Sequence, residues 1–77
     1  MIFEKIKELI CEQFDVDPKD ITEETNFLRD LSADSLDFVE LVMNIEDTFG
    51  LPEIGEDDIR SIQTVGDLVD YVKKTQD

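Results

Sequence analysis

Asp34-Ser35-Leu36-Asp37-Phe38-Val39-Glu40-Leu41-Val42-Met43-Asn44-Ile45-Glu46-Asp47-Thr48-Phe49-Gly50 is written as an amphipathic helix with both of its ends marked. Asp34 or Ser35 supplies an N-cap, and Gly50, followed by Leu51-Pro52, supplies the stop. At about 100° per residue, Phe38, Leu41, Val42, Ile45 and Phe49 fall in one arc centred at about 200°, the face of a buried core. Leu36, Val39 and Met43 fall in a second arc, about 60° wide and centred at about 330°, away from that core. Glu40 and Asp47 flank this second stripe on one side and Glu46 on the other. Two readings of the stripe stand side by side. It packs under the long loop between helices one and two or under the third helix, or it is an exposed docking face with an apolar centre for affinity and an acidic rim for steering.

The rest of the chain repeats the helical period. Ile2, Phe3, Ile6, Leu9, Ile10 and Phe14, with charged residues between them, predict a first helix over about residues 3–15. Asp17-Pro18 ends it, because a residue that precedes proline is pushed out of the α region. A connection of about 19 residues then leads to Asp34, long enough that it must be functional or pinned to the core. Ile21, Phe27, Leu28 and Leu31 are the expected pins, with a helical turn at Ile21-Thr22-Glu23-Glu24. Glu56 to Ile62 reads as a short third helix, too brief to be stable alone. Thr64 caps the last helix, with Asp67 three residues on as in a capping box. Val65, Leu68, Val69 and Val72 form its inner stripe, and Lys73-Lys74 suit its C-terminal dipole. The expected fold is all-α: a four-helix bundle with three longer helices, one short third helix and a long loop between helices one and two.

Composition narrows the function. Seventy-seven residues bury only about 60% of the unfolded surface, which leaves little room for an elaborate active site. The formal charge of −14 opposes binding to nucleic acid or to an anionic membrane surface and makes basic protein surfaces the natural partners. Ten Asp and Glu and no Lys or Arg lie between Asp30 and Asp58, a run that is also compatible with a merely solvated face. The chain contains no histidine, so neither a Ser-His-Asp arrangement nor a His-containing metal site can be built. The EF-hand pattern is absent, and no specific metal site is expected, although Asp30, Asp34, Asp37 and the Glu53 to Asp58 cluster can attract divalent ions diffusely. Cys11 has no partner for an internal disulfide and reads as a packed thiol. Met1-Ile2-Phe3-Glu4-Lys5 has neither a signal h-region nor a transit pattern, and no apolar run spans a bilayer, so a cytoplasmic location without membrane insertion is expected.

Ser35 can simply cap its helix. If Asp34 caps instead, the Ser35 hydroxyl is free at a helix N-terminus, where a phosphate is favoured by about 0.3–1 kcal/mol. The surrounding carboxylates oppose that anion, so a phosphodiester with one charge is the most tolerable phosphate.

Phe27-Leu28-Arg29-Asp30-Leu31-Ser32-Ala33-Asp34-Ser35-Leu36-Asp37-Phe38-Val39-Glu40-Leu41-Val42-Met43 resembles the signature of the acyl carrier proteins. The likeness extends through Val16 and Ile21-Thr22 before it and through Phe49-Gly50 and Thr64-Val65-Gly66-Asp67 after it. The resemblance implies one carrier domain over residues 1–77, not an enzyme, bearing 4′-phosphopantetheine on Ser35 through a phosphodiester. A separate phosphopantetheinyl transferase, the holo-carrier synthase, would attach that arm from coenzyme A. Acyl groups would then travel as thioesters on its thiol, so Cys11 is not implicated. It further implies a monomer that meets the transferase and the enzymes of fatty acid synthesis through their basic patches. Asp34, Leu36, Asp37, Val39, Glu40, Met43, Glu46 and Asp47 are the expected docking residues. Phe38, Leu41, Ile45, Val65 and Leu68 are candidates to line an acyl pocket between the helices. Carriage for polyketide, lipid A or another secondary acylation is the alternative within the family, and an unmodified acidic interaction module the alternative outside it. Three positions depart from the family pattern. Ser32 stands where glycine is common, Phe38 where a smaller residue is common, and the stretch Leu51-Pro52-Glu53-Ile54-Gly55 is one residue longer.

Overall fold

The computed structural model describes residues 2–76. Its elements are α1 (Ile2–Phe14), a single 3-10 turn (Pro18–Asp20), α2 (Ser35–Phe49), α3 (Glu56–Ser61) and α4 (Val65–Gln76). These are the four helices that the periodicity predicts, and the long connection between α1 and α2 is ordered.

Local chemistry explains each boundary. α1 ends at Phe14 because Asp15 turns left-handed, at φ 56°, and its N–H donates to the Cys11 carbonyl at 3.0 Å. Gly50 does the same for α2 at φ 64°, where a side chain would be strained. α4 begins at a reciprocal cap. The Thr64 hydroxyl accepts from the Asp67 N–H at 3.1 Å, and the Asp67 carboxylate accepts from the Thr64 and Gln63 N–H groups at 3.1 and 3.0 Å. Those bonds, the Gln63 N–H first, hold the Asp67 carboxyl below its ordinary pKa. α3 has no side-chain cap at Gly55 and buries none of its residues, in keeping with its length.

The core joins all the long helices. Ile6 and Ile10 from α1, Leu41 and Ile45 from α2, and Val65, Leu68 and Val72 from α4 are fully buried in one cluster, with Ile21, Phe27, Ala33 and Ile62 from the connections. Gln13 adds a polar tie, its side-chain amide donating to the Asp37 carbonyl at 2.6 Å and its oxygen accepting from Asn44 at 3.3 Å.

The long loop is pinned by the buried side chains of Ile21 and Phe27, by Leu31 packed against the core, and by backbone hydrogen bonds. Phe27 N–H donates to the Gln63 carbonyl at 3.0 Å, Val65 N–H to Thr25 at 2.9 Å and Gly66 N–H to Glu23 at 2.8 Å. A β-carbon on Gly66 would lie 2.9 Å from that Glu23 carbonyl, so this approach requires glycine. Two expectations for the loop need correction. The helical turn lies at Pro18–Asp20, where Asp17 caps it and proline presets φ, while Thr22 to Thr25 forms a turn closed by Thr25 N–H on the Thr22 carbonyl. Leu28 is not a pin: it is 74% exposed, because the Asn26 side chain accepts from the Leu28 and Arg29 N–H groups and rolls that turn outward.

Candidate functional site

Ser35 is the first residue of α2 and is exposed. Asp34 is its N-cap: the Asp34 carboxylate accepts from Asp37 N–H at 2.8 Å, and the Asp37 carboxylate reaches back to Asp34 N–H at 3.5 Å. This box satisfies the first turn without the serine, and among the described residues the Ser35 hydroxyl has no hydrogen-bond partner. The competing reading of Ser35 as the cap is therefore excluded by geometry.

A cavity of about 690 Å³ opens beside Ser35. Phe27, Ala33, Phe38 and Ile62 give it apolar walls, and Asn26, Gln63, Asp34 and Arg60 give it polar ones. The rings of Phe27 and Phe38 stack with centroids 5.1 Å apart and planes tilted by 55°, an attractive aromatic geometry. Their contact ties the loop to α2. The cavity is thus assembled from three separate segments: the 26–34 loop, the first turn of α2, and α3 with the corner that follows it.

Of the five residues expected to line an acyl pocket, only Phe38 borders this cavity. Leu41, Ile45, Val65 and Leu68 have no exposed surface and are packed against one another in the core. The open space borders Phe38 together with Phe27, Ala33 and Ile62. Sequence reasoning passed over Asn26, Ile59, Arg60, Ile62 and Gln63, since no local pattern brings residues from a loop and the α3–α4 corner to Ser35.

The second stripe of α2 is on the surface. Leu36 is 67% exposed, Val39 41% and Met43 59%, so neither the loop nor α3 covers it. Glu40 and Asp47 are exposed beside it, and Asp34 and half-buried Asp37 stand at its head. Glu46 is differently placed from the free rim position expected of it. Its carboxylate accepts from Ile54 N–H at 2.7 Å and anchors the segment between α2 and α3. Leu28 adds a further exposed apolar side chain at the cavity mouth.

Nothing in this constellation can turn over a substrate unaided. Ser35 has no base, and among the described residues no group of three or more Cys, Asp or Glu side chains converges to hold a metal ion. Cys11 lies on α1 near Lys7 and Glu8, and burial raises its pKa, so it is neither at this site nor activated.

Residues 4–72 match the family described as a phosphopantetheine attachment site. The chain is 55% identical over 75 residues to the acyl carrier protein of Lactobacillus johnsonii, covering 97% of this chain and 92% of that protein. It is 53% identical over 75 residues, with the same coverage of both chains, to the acyl carrier protein of Lactobacillus acidophilus. Among solved structures, acyl carrier protein from Enterococcus faecalis superposes with a TM-score of 0.81 at 36% identity, covering 96% of this chain and 92% of that one. A four-helix chain with an exposed serine hydroxyl at the start of its second helix, matched along nearly its whole length by these proteins, belongs to the acyl carrier protein family, whose members are carriers and not enzymes.

Proposed function

We propose that Ser35 carries 4′-phosphopantetheine as a phosphodiester and that this domain, residues 1–77, delivers acyl groups as thioesters between enzymes of fatty acid synthesis. The observation that carries the reading is the exposed, unpartnered Ser35 hydroxyl on the first turn of α2 with an apolar-walled cavity beside it. The residues present suit the group. Asp34 has taken over the cap, the α2 N-terminus favours an anion, and a phosphodiester adds a single charge to a strongly acidic neighbourhood. When attached, the arm supplies a thiol that accepts acyl groups and a reach beyond the protein surface. The chain's own residues bind, present and shelter. Phe27, Phe38 and Ile62 offer apolar contact to a short acyl segment next to Ser35.

Leu36, Val39 and Met43 with Glu40, Asp47, Asp34 and Asp37 form the surface that meets the transferase and the acyl-handling enzymes, and those partners present basic patches. A bare apolar stripe would be an aggregation hazard, whereas here a net charge of −14 keeps copies apart and a monomer results. Glu46, already bound to Ile54 N–H, contributes less to docking than its place on the helix wheel suggests. No helix is long and apolar enough to cross a membrane, and a cytoplasmic site of action is proposed on the reducing habit of the chain, with its one free thiol.

Intact-mass spectrometry after incubation with coenzyme A and a broad-specificity phosphopantetheinyl transferase tests the attachment. The expected result is one added phosphopantetheinyl group, lost in Ser35→Ala. No addition to the natural chain, or addition that survives Ser35→Ala, overturns it.

A further inference from the structure

Arg60 lines the same cavity as Ser35, and of the seven Lys and Arg in the chain it is the one that does so. Lys5 and Lys7 lie on α1 beside Glu8 and Glu4, Arg29 faces Asp30 at 3.8 Å, Lys19 is in the 3-10 turn, and Lys73 and Lys74 end α4. The cavity wall therefore has Asp34 at the Ser35 side and Arg60 on the α3 side. Arg60 currently meets Glu56 Oε1 at 3.2 Å, with the two side chains 74% and 81% exposed, and such an exposed i,i+4 pair is readily exchanged. α3 is six residues long and buries none of them, so redirecting a side chain on it disturbs little packing. A cargo with no charge would need only Phe27, Ala33, Phe38 and Ile62, and would desolvate the guanidinium without return. An anionic oxygen group reverses that balance, since guanidinium donors match carboxylate and phosphate in a forked, charge-assisted pair.

We infer that Arg60 receives an anionic oxygen group borne by the Ser35-linked arm, either its phosphodiester or the terminal carboxylate of a half-acid acyl cargo. The inference rests on the proposed attachment at Ser35. Every charge from Asp30 to Asp58 is negative, and Arg60, two residues beyond that run and in the cavity wall, is the counter-charge that makes either anion tolerable.

The test compares thermal midpoints of the apo chain, the phosphopantetheinylated chain, and that chain loaded with butyryl or with succinyl, which match in length and differ by a carboxylate. Each is measured in the natural sequence, Arg60→Gln and Arg60→Lys. If the cargo carboxylate is the partner, succinyl exceeds butyryl by about 2–4 °C, the gap closes in Arg60→Gln and is partly kept in Arg60→Lys. If the phosphodiester is the partner, the step from apo to phosphopantetheinylated chain shows that dependence and the phosphorus resonance shifts in Arg60→Gln. Any loss of α3 stability in the variants is common to all forms and cancels in these differences. The inference is overturned when the arm is present by mass but neither difference changes in Arg60→Gln. Absence of the arm by mass sinks the attachment as well.

Discussion

Replacing Ser32 with glycine should stabilise the fold, and the size of the gain can be worked from the turn that leads into Ser35. Ser32 is held at φ 53°, in the left-handed region. It cannot relax, because hydrogen bonds fix both sides of it: Leu31 N–H donates to the Asn26 carbonyl at 3.2 Å, and Ala33 N–H to the Phe27 carbonyl at 2.9 Å. An L-residue there is disfavoured by about 1–2 kcal/mol. The greater freedom of glycine in the unfolded chain returns about 0.5–1 kcal/mol of that. The net expectation for Ser32→Gly is a gain of about 0.5–1 kcal/mol, or a rise of about 2–8 °C in the thermal midpoint for a domain this small. Ser32 is exposed, and among the described residues its side chain makes no hydrogen bond, so Ser32→Ala keeps the β-carbon and the strain and should stay within about 0.5 kcal/mol of the natural chain. Thermal and urea unfolding followed by circular dichroism on the apo proteins measures both. A Ser32→Gly variant no more stable than the natural chain, or a Ser32→Ala variant that gains as much, would refute the strain argument.

Leu41→Ser should destabilise by at least about 3 kcal/mol, since it deletes a fully buried side chain and buries a hydroxyl. Met43→Ser, at 59% exposure, should change stability by less than about 0.5 kcal/mol yet weaken binding to a partner enzyme, read by calorimetry; equal unfolding by both would end the docking-stripe argument. Glu40→Lys should slow association with that partner and flatten its salt dependence, and salt-independent binding of the natural chain would count against steering. Asp67 has a depressed folded-state pKa, so the stability it confers is present above its unfolded pKa near 3.8 and is lost as pH falls below that value through the lower folded one. Asp67→Asn should accordingly lie below the natural chain at neutral pH and converge on it in acid; a gap that persists in acid would assign the loss to packing.

Most of the helical frame was legible because it is specified locally. The caps at Asp34 and Thr64, the stop at Gly50 and the apolar spacing of α1, α2 and α4 act within a turn or two of chain, and their reading needs no knowledge of what lies across the bundle. The same holds for the two stripes of α2, whose angular separation is fixed by helix geometry alone. Leu28 was misjudged because a loop has no period: its direction is set by the Asn26 side chain accepting from two backbone N–H groups, which no hydrophobicity pattern records. Glu46 was placed on the correct face, but the segment that folds back to present Ile54 N–H to it had no signal of its own. Leu41, Ile45, Val65 and Leu68 face inward as their spacing predicts and are packed in the core, and periodicity does not separate a residue that only packs from one that borders open space.

By itself the sequence determined the four helices, the core stripes, the acidity that selects basic partners, and a serine with no means of acting alone. These follow from short-range rules and from summed charge. Only the tertiary structure decided that Asp34 frees the Ser35 hydroxyl, that the stripe from Leu36 to Met43 stays uncovered, and that Phe38 meets Phe27 beside a cavity that Ser35 and Arg60 both line. Each of these depends on contacts between residues far apart in the chain, and such contacts are fixed by how the segments fit together in space.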